Sequence, residues 1–235
     1  MGAVIEVVGV DGDDTLWHSE TLFSVTHDRM RSLLSPYVAP SVLDERLLAT
    51  ERRNLRYFGY GVKGFVLSMV ETAIEVSDGR VSATEVAAIL DAGKAMLDHP
   101  VELLEGAREA LEAVAGRRRL VLVTKGDLFD QESKLARSGL GELFERVEVV
   151  AEKDERAYRR VLTGVGVAPP AFAMVGNSLR SDVLPVLGLG ARAVHVPYPI
   201  TWALEDADPG AAAGRYEVLD DLRGLPDALD RLDAA

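Results

Sequence analysis

No cysteine occurs among the 235 residues, which excludes disulfides, thiolate zinc sites and cysteine nucleophiles. No apolar run reaches the ~18 residues that a membrane-spanning helix needs. Met1 to Val10 has no basic region and no long apolar stretch followed by a cleavage site, so it does not read as a signal peptide. A cytoplasmic protein is the expectation. Positive charge is scarce: Lys and Arg number 26 against 38 Asp and Glu, for a net charge of −12. Such a balance repels a nucleic-acid backbone and an anionic membrane surface, and neither is expected as a partner. It leaves room for a small phosphorylated ligand, which responds to local charge. The Walker A sequence and the GxSxG elbow are both missing. Aromatics are few, at 6%, while 48% of residues are apolar. That suits one large α/β domain, or a core domain with a smaller inserted one.

Val4 to Val10 is a short apolar run rich in β-branched residues that stops at an Asp/Gly cluster, the pattern of a buried strand entering a loop. From Ser19 to about Leu97 apolar residues recur at helical spacing, as in Leu43-Leu47-Leu48, Phe65-Met69-Val70 and Val86-Ile89-Leu90. This stretch predicts an all-helical insertion. Pro36 and Pro40 interrupt it early, Ser77-Asp78-Gly79 marks a turn, and Ser82 or Thr84 is placed to cap the next helix. Beyond Pro100 strands and helices alternate. Strands are expected at Leu120–Val123, Val147–Val150, Ala171–Val175 and Ala193–Val196. Helices are expected at Gly106–Ala115, Leu128–Arg137, Glu155–Leu162, from about Ser181 with Pro185 in the first turn, and at Leu219–Leu232. Alternation of this kind predicts a parallel sheet covered on both faces.

Unusual polar residues fall where these strands end. Asp11 and Asp13 follow the first, Thr124 and Lys125 the second, Lys153 the third, and Asn177 and Asp182 the fourth. Ligands of open parallel sheets bind at the carboxyl ends of the strands. The groups suit phosphoryl transfer. One carboxylate can attack phosphorus, and a second can protonate the leaving oxygen and later deprotonate water. A divalent cation relieves the repulsion between them, and an oxygen-rich site favours magnesium. A lysine and a hydroxyl can hold the phosphoryl oxygens.

Four motifs in order carry a family resemblance. They are an apolar strand followed by Asp11-x-Asp13-x-Thr15, a strand ending in Thr124, the lysine Lys153, and Gly176-Asn177 with Asp182. The chain resembles members of the haloacid dehalogenase superfamily with a helical cap of the C1 type inserted after motif I. The resemblance runs from Val4 to about Pro197. It implies a Rossmann-like parallel sheet core over residues 1–18 and 98–235 and an all-helical cap over 19–97. It further implies a magnesium-dependent phosphohydrolase acting on a small phosphomonoester, a nucleotide or sugar phosphate being candidates. Asp11 would be the nucleophile and a metal ligand. Asp13 would be the general acid/base and would ligate the metal through its carbonyl. Thr124 and the amide of Lys125 would bind phosphate, and Lys153 would bridge nucleophile and phosphate. Asn177 and Asp182 would complete the metal surroundings. Two positions depart from the pattern: Asp14 stands where glycine is common, and Asn177 where a metal-binding Asp usually stands, which predicts weaker magnesium binding.

Each residue also has an ordinary reading. An Asp after a strand is commonly an Asx-turn residue. Lys153 lies in a charged run, Glu152 to Arg156, that alone reads as a solvated face. Asp182 could serve only as helix N-terminal charge. It is the company of the other motifs that lifts these residues above those readings. In the insertion Lys63 and Arg56 are candidates to reach a substrate, and His18 beside the nucleophile loop is another. Gly59 to Gly64 formally matches GxGxxG, but the charged helical stretch before it fails the required strand context, so a bend between helices is expected. Three other functions stay open, one of them a phosphonatase that would use Lys63 as a Schiff base. A 2-haloacid dehalogenase would use Asp11 in the same way, although halide release gives Asp13 nothing to protonate. A non-catalytic binder of phosphate ligands is the reading toward which Asn177 leans.

Overall fold

The computed structural model describes residues 3–234. Its chain forms two compact units. The first comprises the residues up to Glu20, Val101–Lys125 and those from Gln131 on; the second comprises Thr21–Pro100 and Gly126–Asp130.

The first unit is built on a six-stranded sheet. Its strands are β1 (Val7–Val10), β2 (Arg119–Lys125), β3 (Arg146–Val150), β4 (Phe172–Gly176), β5 (Arg192–His195) and β6 (Glu217–Val218). They lie in the order β3-β2-β1-β4-β5-β6, and every pairing is parallel. Alternate residues point to opposite faces, which splits the core in two. Val8, Val10, Leu120, Leu122, Ala173 and Val175 pack with helices α5 (Ala107–Ala115) and α9 (Leu225–Ala234). Val7, Val121, Val123, Phe172 and Met174 pack with α7 (Glu155–Val165) and α8 (Leu184–Gly188). Both faces of β1 are therefore covered, and all four of its residues are buried. Gly9 sits there because a Cβ would lie 2.5 Å from the Phe172 ring.

The chain passes from β1 to β2 and β3 on one side, then to β4, β5 and β6 on the other. The sheet thus reverses direction beside β1, and the crevice at the carboxyl ends of β1 and β4 is where such folds bind ligands.

The second unit is helical: α1 (Glu20–Leu34), α2 (Pro40–Phe58), α3 (Val62–Val76) and α4 (Ala83–Asp98). Leu43, Leu47, Val62, Phe65, Val66, Met69 and Ile89 form its core. Pro40 opens α2 in the first turn, where its missing N–H costs nothing. Ser82 caps α4 in a capping box with Glu85. Asn54, buried on α2, donates to Ser68 and Glu71 of α3 at 3.2 and 2.6 Å. No helix among the described residues is long and apolar enough to cross a membrane.

Four elements differ from the sequence pattern, one being the last helix, which begins only at Leu225 after a 3-10 turn over Leu222–Gly224. Val4 is exposed and β1 begins only at Val7. Instead of extending the ladder, the amide of Ile5 donates to the Asp233 side chain at 2.7 Å. The short edge strand β6 has too few residues to carry a period. The segment opening at Leu179 is a π turn over Leu179–Val183, not an ordinary first turn, and α8 follows it.

Candidate active site

Asp11 is set by the sheet itself. Its amide donates to the Val175 carbonyl at 2.9 Å, which continues the β1–β4 ladder by one rung. Its Oδ1 accepts from Lys153 Nζ at 2.5 Å. The same ammonium donates to Asp182 Oδ1 at 2.7 Å. Lys153 stands just after β3, yet its side chain is only 2% exposed, because two carboxylates compensate its charge. Burial alone would lower its pKa, but Asp11 and Asp182 outweigh that and raise it to about 12. For Asp11 the balance runs the other way. Burial, helped by the neighbouring Asp182 carboxylate, raises its pKa to about 7 against the pull of Lys153.

Asp182 is wholly buried, and its Oδ2 accepts from the Ser178 amide at 3.0 Å. Tyr158 of α7 supports the same turn by donating to the Ser181 carbonyl at 2.9 Å. Asp182 folds back over β4 so closely that a Cβ on Gly176 would lie 2.2 Å from Asp182 Oδ2. Only glycine fits before Asn177. The π turn matters for this packing, since such turns commonly mark functional sites by re-aiming one side chain.

Thr15, on the loop that carries Asp11, joins β1 to β4. Its hydroxyl lies 3.4 Å from Asp11 Oδ2 and 3.3 Å from Asn177 Oδ1. The Asn177 carbonyl meets His195 Nε2 at 2.9 Å. Thr124, at the end of β2, is buried.

Asp13 is held by three donors. Trp17 Nε1 lies 2.7 Å from Oδ1, Lys134 Nζ 2.9 Å from Oδ1, and Gln131 Nε2 2.9 Å from Oδ2. Burial pushes its pKa up, but Lys134, Gln131 and Trp17 together hold it below the ordinary carboxylate range. Asp14 points elsewhere. It adopts a left-handed backbone, φ 61°, which Asp tolerates. Its carboxylate accepts from the Ser19 and Glu20 amides at 2.9 and 3.0 Å, at the start of α1. Burial raises its pKa to about 7.

Lys125 donates to Ser181 Oγ at 3.0 Å and to Glu205, a residue of the long segment after β5. Glu205 Oε2 also accepts from Ser178 and Ser181 at 2.7 and 2.5 Å.

The structure therefore brings Asp11, Lys153, Asp182, Thr15 and Asn177 into one set of contacts and gives Asp13 its own. Of the remaining sequence candidates, His18 Nδ1 meets the Tyr198 hydroxyl at 2.7 Å. Lys63, at the start of α3 in the helical unit, pairs with Asp127 at 2.9 Å. Arg56 lies over the Tyr57 ring in that unit. Trp17, one residue before His18, is buried and donates to Asp13. Glu205, Lys134, Gln131 and Tyr158 escaped the sequence reading. The Ser178-x-x-Ser181 pair was the one visible sign that the fourth loop offers extra hydroxyls.

Among the described residues no three His, Cys, Asp or Glu side chains gather as a metal site. The oxygens available beside Asp11 are its own Oδ2 and the Asn177 amide, joined through Thr15, with the Asp13 carbonyl on the same loop. One ammonium serves two buried carboxylates there, so negative charge is left over. That excess and an all-oxygen donor set fit a hard divalent cation that keeps several of its waters.

A Rossmann-like sheet with a carboxylate after β1, a buried lysine after β3 and an acidic turn after β4 defines a hydrolase class. Residues 5–186 match the family described as haloacid dehalogenase-like hydrolase, and the chain belongs to that family. A haloacid dehalogenase-like family hydrolase from Xanthomonas campestris is 45% identical. Its crystal structure superposes with a TM-score of 0.88, over 98% of this chain and 93% of that one. A phosphoserine phosphatase from Thermus thermophilus is 34% identical over 113 residues. That match spans 45% of this chain and 45% of that protein, less than half the length of either. A 2-haloacid dehalogenase from Pseudomonas syringae pv. Tomato has the same fold, with a TM-score of 0.64 at 20% identity over 97% of this chain and 99% of that one.

Proposed function

We propose that this chain is a magnesium-dependent phosphohydrolase that cleaves a small phosphomonoester through an aspartyl-phosphate on Asp11. The observation that carries this reading is Asp13: a second carboxylate two residues from the nucleophile, gripped by Lys134 and Gln131. An Asp-based attack at carbon needs no such group, whereas an alkoxide leaving group needs a proton and the attacking water must lose one. The part-length likeness to a phosphoserine phosphatase supports the same choice.

In this reading an Asp11 carboxylate oxygen attacks phosphorus while the bond to the leaving oxygen breaks, and Asp13 gives that oxygen its proton. Asp13 then takes a proton from the water that hydrolyses the aspartyl-phosphate, which regenerates both carboxyl groups. Held ionised as it is here, Asp13 is set for this second half. To act as acid it must loosen its hold on Lys134. Lys153 keeps Asp11 in place, counters charge on the phosphoryl oxygens and is itself oriented by Asp182. Thr124 and the Lys125 amide bind the phosphoryl group. Asp11, the Asp13 carbonyl and Asn177 would hold the magnesium, with Asp182 near through Lys153. When bound, the ion offsets negative charge on carboxylate and phosphoryl oxygens.

The helical unit would serve as the cap, excluding water during transfer and readmitting it for hydrolysis. Lys63 and Arg56 on that unit, and His18 beside the nucleophile loop, are the candidates to contact the rest of the substrate. Para-nitrophenyl phosphate turnover with magnesium, abolished in Asp11→Asn, is the test. The neutral Asn177 leans toward a non-catalytic binder of phosphate ligands, and a second catalytic reading, 2-haloacid dehalogenase, would use Asp11 as nucleophile in the same way. Metal-independent chloride release from a 2-haloacid, with no phosphatase turnover, would establish it instead.

A further inference from the structure

The long segment after β5 returns to the site. Arg180 of the π turn donates to the Leu204 carbonyl. The next residue, Glu205, places its carboxylate among Lys125, Ser178 and Ser181. The contacts tie two of the segments that build the site, the ends of β2 and β4, to the segment that bears Glu205. Lys125 follows Thr124 at the end of β2, Ser178 follows Asn177, and Ser181 precedes Asp182. Neither charge of the pair is free in water: the Lys125 side chain is 13% exposed and that of Glu205 16%.

A continuous set of polar contacts then runs from Glu205 through Lys125, Ser181 and the turn bearing Asp182 to Lys153 and Asp11. Along it charges alternate, with three carboxylates and two ammonium groups. Without Glu205 the surroundings of Lys125, next to Thr124, would carry one negative charge fewer. Charge felt across a partly buried site is weakly screened, so a phosphate dianion bound there would respond to it.

We propose that Glu205 is a positioning residue of the phosphoryl site, which pins and neutralises Lys125 and so holds down the affinity for phosphate, letting the product leave. The inference rests on the phosphohydrolase reading and goes beyond its motifs, because Glu205 belongs to none of them. The hydroxyl donors of Ser178 and Ser181 can still be accepted by an amide oxygen. Glu205→Gln therefore removes charge while keeping those contacts.

The test is binding of inorganic phosphate, measured by titration calorimetry in magnesium chloride, alongside its competitive inhibition of para-nitrophenyl phosphate hydrolysis. Glu205→Gln is expected to tighten phosphate roughly tenfold, from the Coulomb term of one unit charge at partly screened range. KM and kcat should fall together as release slows. Lys125→Met, which leaves Glu205 unbalanced, should loosen phosphate by about as much. The neutral double variant should return close to wild type, whereas a merely structural role would leave it at least as impaired as either single variant. Unchanged or weaker phosphate binding in Glu205→Gln overturns the proposal. If that variant does not fold, unchanged binding in Lys125→Met overturns it equally. A wild-type protein that neither turns over the phosphoester nor binds phosphate fails the phosphohydrolase reading itself. A wild type that does both, with indifferent variants, fails only the role of Glu205.

Discussion

Lys134 donates to both carboxylate oxygens of Asp13, at 2.9 and 3.2 Å. The pair is partly shielded, the Lys134 side chain being 14% and that of Asp13 29% exposed, and the ammonium keeps Asp13 ionised even though burial opposes it. Held ionised, Asp13 is in the form that the proton-accepting half of the reaction needs.

Lys134→Met should therefore unbalance the two halves of the reaction. With its cation gone, Asp13 holds its proton more firmly, so phosphoryl transfer to Asp11 is helped and hydrolysis is slowed. We expect kcat to drop roughly tenfold, less than the ~10²–10⁴ that loss of a general base itself costs, because Asp13 is retained. A burst of product in the first turnover should appear as phosphoenzyme accumulates. Rapid-quench measurement with para-nitrophenyl phosphate checks this, and an unchanged kcat without a burst would contradict the role given to Lys134.

Lys153 serves two buried carboxylates, and its loss should show in stability as well as activity. Removing one member of a buried ion pair costs ~3 kcal/mol or more, which for a chain this size lowers Tm by about 6–12 °C. In Lys153→Met, burial and the neighbouring Asp182 carboxylate act on Asp11 without the opposing ammonium, so its folded-state pKa rises further above the unfolded one. A raised carboxylate pKa favours folding at low pH, and that advantage is lost as pH rises through the folded value. The variant should consequently melt further below wild type at pH 8 than at pH 6. Equal deficits at both would show that the carboxylates are not left as charged orphans.

The opposite sign applies to Asp230 on α9. Arg117 and Arg118 hold its pKa down to about 2, through bonds of 2.9, 2.9 and 2.7 Å. A depressed carboxylate contributes stability that is present above its unfolded pKa near 4 and lost as pH falls toward 2. Asp230→Asn should leave the protein's urea midpoint at pH 3 closer to wild type than at pH 6. The change will be modest because Asp230 is largely exposed. A deficit that grows on acidification would be wrong for this pair.

How far the sequence could be read follows from range. Asp11, Thr124 and Asn177 each sit at the end of a short apolar run, so local pattern located them. Lys153 had the same advantage. The helical unit was visible because Leu43 and Leu47, or Phe65 and Met69, recur at a helix period and fill one core. Glu205 had no such signal. It lies in an irregular segment and reaches Lys125 across 80 positions of sequence. Lys134 is likewise 121 residues from Asp13, on an α6 (Leu128–Ser138) whose polar residues read as a solvated face. The π turn was hidden because a period cannot reveal one extra residue in a turn, and what selects it is the fit of Asp182 over Gly176.

Asn177 offers the most direct test of the metal. Its Oδ1 lies 3.3 Å from the Thr15 hydroxyl that also approaches Asp11, so the amide already faces the nucleophile loop. An amide brings a ligand oxygen but no charge, and cation affinity in oxygen-rich sites rises with the number of carboxylates. Asn177→Asp should lower the magnesium concentration for half-maximal activation by roughly tenfold, the expected scale for one added charge near a divalent ion at partial screening. Addition of magnesium should also raise the variant's Tm more than the wild type's, since a ligand stabilises the state that binds it in proportion to its affinity. The extra carboxylate carries a cost, because without magnesium it is a third acid near Asp11 and Asp182. In chelator the variant should therefore melt below wild type. A variant whose activation by magnesium is no tighter, and whose melting is equally indifferent to the ion, would remove Asn177 from the metal's surroundings.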